Sequence, residues 1–233
     1  MYIAGMGIVF SGGRGAADFK KALNQGWEDA HQGKKVSKEI ISDKIALEGA
    51  RRADNFTKMA VLAAVDAFAD SGLGAETKES LGIILATSLG PHVTTFKFLD
   101  DILTYGDQGV SPTLFSHSVH NAAVSYIALN LGSRGPTLTV TQFADSFSQA
   151  LFIAKSWLQE KRCANILVGS VDQLGGEMEY ILTTKAPELI PIEGSVFFLL
   201  TEKESANKYS LIFSNLRANI NLNGFSCAAQ ALQ

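Results

Sequence analysis

Cysteine is scarce in this chain: 233 residues carry two, Cys163 and Cys227. Two thiols in a chain of this length make no disulfide framework, which points to a reducing compartment. Long runs of positive charge are also missing. Lysines and arginines number 20 against 23 aspartates and glutamates, for a net charge of −3. The basic residues come as short pairs, Lys20-Lys21, Lys34-Lys35, Arg51-Arg52 and Lys161-Arg162. These read as solvated faces, with contact to an acidic protein as the weaker alternative. None is long enough for a nucleic-acid groove. No wholly apolar run is long enough to cross a bilayer, and the opening MYIAGMGIVF has neither a basic n-region nor a cleavage pattern. The expectation is a cytoplasmic protein with no nucleic-acid partner and no membrane span.

Hydrophobic residues make up 46% of the chain and charged residues 18%, the balance of a globular protein with much buried surface. The length suffices for one large core or two small ones. No repeat, low-complexity segment or linker divides it, so residues 1–233 are expected to form one domain. Strands are expected over 2–10, 81–87, 137–142, 165–169, 196–201 and 209–216, the last two as closing, antiparallel strands. Helices are expected over 16–24, 56–71 (capped by Asn55 and stopped by Gly72), 93–103, 119–131 and 146–160. Residues 32–45 read as a polar surface excursion, and Gly175-Gly176 as the start of a looser region. The alternation of strands and helices argues for an α/β sheet with helices on both faces.

The stretch GPTLTVTQFADSFS, residues 135–148, carries the most information. A strand runs directly into a helix that opens near Asp145. Such a corner can hold a reactive nucleophile, because a helix N-terminus lowers a thiol's pKa and offers N–H groups to an oxyanion. Yet it contains no cysteine and no Gly-x-Ser-x-Gly elbow. Asp145 and Ser146 are most simply helix caps, and Ser146 has no visible base.

Several segments in order resemble the β-ketoacyl synthases, the condensing enzymes of fatty acid and polyketide synthesis. IAGMGIV (3–9) resembles that family's opening strand. RRADNFT (51–57), followed by 60–72, resembles its "RRMDRFT" helix. GPTLTV (135–140) resembles the strand before its active cysteine. ANILVGSVD (164–172) resembles its "LVGGVD" strand, and EGSVFFLL (193–200) its "GEGAG" segment. The order and spacing make the resemblance specific. It covers the N-terminal half of the family and implies a thiolase-like α/β fold, one half only, with a mixed, mostly parallel sheet. Counting from Gly135-Pro136, the family's cysteine falls on Ala144, which can carry no thioester. The family's catalytic histidines and lysine belong to its other half. Relatives that have lost the cysteine are chain-length factors, which pair with an intact ketosynthase and shape its product tunnel. Short single-half forms occur with aryl polyene biosynthesis, and this chain looks most like those.

The resemblance therefore implies a non-catalytic subunit with no cofactor and no metal. Its partners would be a full-length ketosynthase and, through the complex, an acyl carrier protein. Tunnel-lining positions would be Val93, Phe96, Leu99 and Leu103, which share helical spacing, together with Leu114 and Phe115. The dimer strand would comprise Thr137, Leu138, Thr139, Val140, Thr141, Gln142 and Phe143, with Asn121 and 112–117 reaching across to the partner. An unpaired apolar edge predicts poor solubility for the chain alone. A helical wheel of 145–160 supports a natural single-half form. Phe147, Ala150, Leu151, Ile153, Ala154, Trp157 and Leu158 fall on one side, and only Phe152 breaks the polar side.

Other candidates carry less. Gly5-Met6-Gly7 follows a strand but lacks the third glycine of a dinucleotide loop. His117 and His120 are three apart without a third ligand, so capping or packing at a helix start is favoured over zinc. His31 and His92 are isolated. Cys163 follows Lys161-Arg162, yet it precedes a buried strand, where cysteine acts as a small hydrophobe. Two further readings stay open: a stand-alone thioesterase or decarboxylase using Ser146 or Cys163, and a structural or sensor homodimer that has lost the chemistry.

Overall fold

The structure is a computed structural model, and it describes residues 1–26, 34–143, 145–185 and 191–203. The elements run β1 (Tyr2–Phe10), β2 (Gly13–Arg14), α1 (Ala16–Gln25), α2 (Asn55–Ser71), β3 (Gly82–Thr87), α3 (His92–Tyr105), α4 (Pro112–His117), α5 (Ala122–Leu131), β4 (Thr137–Thr141), α6 (Ser146–Gln159), β5 (Asn165–Asp172), α7 (Gly176–Lys185) and β6 (Gly194–Thr201). All six strands belong to one sheet in the order β2-β1-β6-β5-β3-β4. β3 pairs in parallel with both β4 and β5, whereas β6 runs antiparallel to β5 and to β1. β1, β3, β4 and β5 thus point one way, and the sheet is mixed with most strands parallel. The strand expected over 209–216 lies outside the described residues, as does His31.

The apolar strands make sense in this arrangement because the central ones are covered on both faces. One layer packs α2 and α5 against Leu81, Ile83, Leu85, Leu167, Phe197 and Leu199. The other packs α1 and α6 against Ile8, Ile84, Ile166, Val168, Val196 and Phe198. Helix α2 is the core helix, with ten buried residues. It lies so close to β1 that a Cβ on Gly5 would strike the Ala67 carbonyl oxygen and one on Gly7 the Ala63 carbonyl oxygen. Close strand–helix approach, not a phosphate loop, accounts for the Gly-x-Gly pair.

Several local expectations are corrected. The cap of α2 is Asp54, not Asn55: its carboxylate accepts the Thr57 N–H at 2.9 Å. The C-terminal stop is as read, with Gly72 in the left-handed region at φ 68°. The helix expected over 119–131 is α5, which starts three residues later at Ala122, and a separate short helix, α4, precedes it. Ser111 caps α4, accepting the Leu114 N–H, and Pro112 fills its first turn. This Ser-Pro start signal was passed over. The looser region after Gly175-Gly176 is helix α7. The excursion is held down at several points. Arg14 grips Asp66 at 2.7 Å and Asp43 at 2.8 Å, and Asn130 bonds the Ala46 carbonyl and the Gly49 N–H.

Candidate functional site

The carboxyl ends of β3, β4 and β5 meet at one edge of the sheet, where ligands of open α/β sheets collect. β4 ends at Thr141, so Gln142 and Phe143 lie beyond the strand. Gln142 still donates its N–H to the Thr87 carbonyl at 3.3 Å, and Phe143 projects outward, 85% exposed. Ala144 lies outside the described residues. Asp145 then turns the chain into α6 with a left-handed backbone, φ 64°. It occupies the cap position, but its side chain makes no cap hydrogen bond. A capping carboxylate needs an extended backbone, and the left-handed turn turns it away. Its Oδ1 is buried and unpartnered among the described residues. Ser146 and Ser148 in the first turn of α6 are buried. As the wheel predicted, one face of α6 is buried, and Phe152 stands out on the other at 59% exposure.

Beside this corner, two buried groups, Glu193 and His92, and the half-buried Asp172 staple the sheet edge to the loops above it. The Asp172 Oδ1 accepts from the Thr87 hydroxyl at 2.7 Å, the Ser88 N–H at 3.0 Å and the Leu89 N–H at 2.9 Å. Burial pushes the Asp172 carboxyl above the usual carboxylate range, and these same donors act in the opposite sense. Glu193 accepts the Val36 N–H at 2.7 Å and the Leu174 N–H at 3.0 Å. His92 accepts the Gly175 N–H on Nε2 at 3.2 Å, which leaves the Nδ1 proton facing the Gly90 carbonyl at 3.4 Å. Burial holds the His92 imidazole below its ordinary pKa, so it is neutral here. One turn along, the Thr94 hydroxyl donates to Asp54 at 2.6 Å. Sequence reasoning singled out none of these as a site. The one visible signal was an acid standing at the end of an apolar strand, in Val171-Asp172 and in Glu193-Gly194.

These staples fix the start of α3, but the rest of that helix has little cover. Only His92 and Thr94 of its residues are buried. Phe96, Leu99 and Leu103 are exposed, Leu103 by 84%, and Val93 is half-buried. Leu114 is half-buried, and Phe115 is exposed with its ring 5.6 Å from that of Phe98. Together with Ile102, Val110, Ser111 and Pro112, these two rings line an apolar groove of about 320 Å³. A second groove, about 390 Å³, runs along β4 between Thr137, Leu138, Thr139 and Thr141 on one side and His120, Asn121, Val124 and Ser125 on the other. The site residues read from sequence therefore fall on two adjoining open surfaces, the α3/α4 face and the β4 edge.

The remaining candidates resolve as packing. His117 ends α4, is buried, and bonds the Tyr126 hydroxyl at 2.8 Å, so it neither caps nor precedes a helix start. His120 is exposed and stands against Gly90. Among the described residues, no three His, Cys, Asp or Glu side chains are grouped to hold a metal. Cys163 is buried, and burial pushes its thiol pKa up, the opposite of what a nucleophile needs. Among the described residues no helix is long and apolar enough to cross a membrane.

Comparison with known proteins agrees with this architecture. The family described as "Beta-ketoacyl synthase, N-terminal domain" matches residues 24–192, well over half of the chain. A curated relative, 3-oxoacyl-[acyl-carrier-protein] synthase 2 of Staphylococcus aureus, is 30% identical over 107 residues, 45% of this chain and 27% of that protein. The fold is shared with the ishigamide ketosynthase/chain length factor at TM-score 0.74 and 22% identity, covering 90% of this chain and 64% of that one. It is shared also with the complex of the ketosynthase ApeO and its chain length factor ApeC from Xenorhabdus doucetiae, at TM-score 0.67 and 18% identity, covering 86% and 78%. The chain thus spans about a quarter of the curated relative and under two thirds of the ishigamide protein. The fold is thiolase-like, a mixed sheet with helices on both faces corresponding to part of those proteins, and the chain belongs to the β-ketoacyl synthase N-terminal domain family.

Proposed function

We propose that this protein is a non-catalytic subunit of the chain-length-factor type. It pairs through β4 with a full-length ketosynthase and shapes the tunnel in which that enzyme's acyl or polyenoyl chain grows. The observation that carries this reading is the corner itself. An edge strand with an open ladder runs into a helix, and the sequence holds alanine where the family carries its cysteine. Alanine has no atom that can form an acyl thioester. The Cys-His-His chemistry and the decarboxylation of the extender unit are then the partner's, and the acyl carrier protein reaches this subunit through the complex. Aryl polyene synthesis is the pathway class we favour, and the cytoplasm the location.

The exposed apolar face of α3 supports a tunnel role. Fully withdrawing an exposed side chain of this size from water gains about 1.5–3 kcal/mol. Leu103, 84% exposed, stands to gain most of that and the partly covered Phe96 and Leu99 a smaller share, so a partner that covers them is favoured. In this reading Val93, Phe96, Leu99 and Leu103, with Leu114 and Phe115, set the tunnel wall, and residues 137–143 with Asn121 form the seam. Co-expression with a full-length ketosynthase tests it. We expect the two chains to co-purify and the complex to elongate acyl chains that the ketosynthase alone elongates poorly. Elongation of the same products at the same rate without this chain would sink the proposal.

A further inference from the structure

Strand β4 borders β3 on one side and lies at the end of the sheet. Which of its peptide groups are free follows from the register. Ile83 sits opposite Thr137 and Thr87 opposite Thr141. The Ile83 N–H donates to the Pro136 carbonyl at 2.9 Å, and the Gln142 N–H to the Thr87 carbonyl at 3.3 Å. In a parallel ladder, residues bonded to the neighbouring strand alternate with residues that face away. Pro136, Leu138, Val140 and Gln142 therefore turn their peptide groups to β3. Thr137, Thr139 and Thr141 turn theirs to the open edge.

The side chains alternate between faces in the same way. Leu138 and Val140 pack on the α6 layer. The three threonines take the opposite face, in the groove beside Asn121 and Ser125. The middle one, Thr139, has its hydroxyl buried without a hydrogen-bond partner among the described residues. A buried hydroxyl left unpaired is unfavourable, and this one belongs to the central residue of the free edge.

We propose that the partner strand pairs with β4 so that Thr139 sits in its central hydrogen-bonded pair, and that the residue opposite is a short hydroxyl or amide side chain (threonine, serine or asparagine) that bonds the Thr139 hydroxyl. The proposal rests on the reading of β4 as the seam and adds the chemistry that selects the partner. Side chains directly opposite stand about 5 Å apart at Cβ, so a short polar side chain reaches the hydroxyl once Thr139 turns about χ1 to bring the oxygen, covered in the free chain, to the edge. Valine or isoleucine there leaves it unpaired.

The test uses the full-length ketosynthase that co-purifies with this chain and measures the dissociation constant of the complex. Thr139→Val keeps the shape and removes the hydroxyl, and it is expected to weaken the complex about fivefold to tenfold. Thr139→Ser keeps the hydroxyl and should stay within about twofold of wild type. Thr139→Pro removes the outward-facing N–H along with the threonine side chain, which an edge strand tolerates, and it should abolish the complex while thermal unfolding of the chain is little changed. If Pro abolishes binding and Val does not weaken it, the hydroxyl pairing is wrong and the seam stands. If Pro binds like wild type, the seam reading fails and the pairing with it. Preferential assembly of the chain with a second copy of itself over the ketosynthase also overturns the proposal.

Discussion

Removing the Asp172 carboxylate should loosen the turn that aims α3, and the structure fixes how different substitutions must differ. Three donors converge on one oxygen, Oδ1: the Thr87 hydroxyl and the N–H groups of Ser88 and Leu89. In Asp172→Ala the two amides lose their acceptor in a place water reaches poorly. An orphaned buried donor costs about 1–3 kcal/mol, so the pair costs roughly 2–6 kcal/mol. That is a large share of the roughly 5–15 kcal/mol that holds a typical domain folded. The Thr87 hydroxyl suffers less, because it keeps the Gly90 N–H as a donor to it at 2.8 Å. In Asp172→Asn an amide oxygen placed at Oδ1 keeps these three bonds and removes the charge that burial disfavours, while its NH2 replaces Oδ2, which the Ser88 N–H also reaches at 3.1 Å. That variant should lie within about 1 kcal/mol of wild type at neutral pH. The folded Asp172 pKa is raised, so its contribution is complete below the unfolded value near 3.9 and is lost as pH rises through the folded value. Asn should therefore gain on wild type as pH rises from about 4. Urea unfolding read at the midpoint with an unchanged slope measures the global effect. Hydrogen exchange at the Ser88 and Leu89 amides measures the local one. Equal losses in Ala and Asn, or an Ala loss below about 1 kcal/mol, would refute the clamp.

Other outcomes follow from the same contacts. His92 is neutral and accepts the Gly175 N–H. Its folded pKa is depressed, so its contribution is full above about pH 6.5 and is lost as pH falls through the folded value. His92→Gln should flatten the fall in melting temperature between pH 7.5 and 5.5, and an unchanged slope would assign that fall to other groups. Gly7→Ala drives a Cβ into the Ala63 carbonyl and should cost about 3 kcal/mol or more, visible as loss of folded yield. A variant as stable as wild type would contradict the close packing of β1 on α2. Phe96→Ala should cost the chain less than the about 3–5 kcal/mol of a core phenylalanine, because Phe96 is 37% exposed, and should alter the product lengths made by the complex. An unchanged product distribution removes Phe96 from the tunnel wall.

Much of the architecture was legible because the strands are apolar runs with sharp ends. Residues 196–200 and 166–169 contain nothing polar, and a strand covered on both faces requires that. The one-sided burial of α6 was equally plain from its wheel. What escaped were features set by contacts distant in sequence. Glu193 reads as an ordinary acid until its carboxylate meets the Val36 N–H, 157 residues away. Asp172 reaches back 85 residues to Thr87. The left-handed backbone of Asp145 has no signature of its own, since aspartate is also a favoured cap. Helix α7 was hidden by Gly175-Gly176, which suggested a break, and it buries none of its residues. The β4 edge was legible as a strand. Which of its threonines face outward needed the register with β3.

The central claim is that this chain lacks the chemistry of condensation and lends its surface to a partner that has it. Intact-protein mass spectrometry of the purified complex, after reaction with an acyl thioester, tests this most directly. The account predicts a complex of this chain with a full-length ketosynthase in which the acyl group is found on the ketosynthase alone. An acyl adduct on this chain, or the chain emerging with no ketosynthase bound, would contradict it.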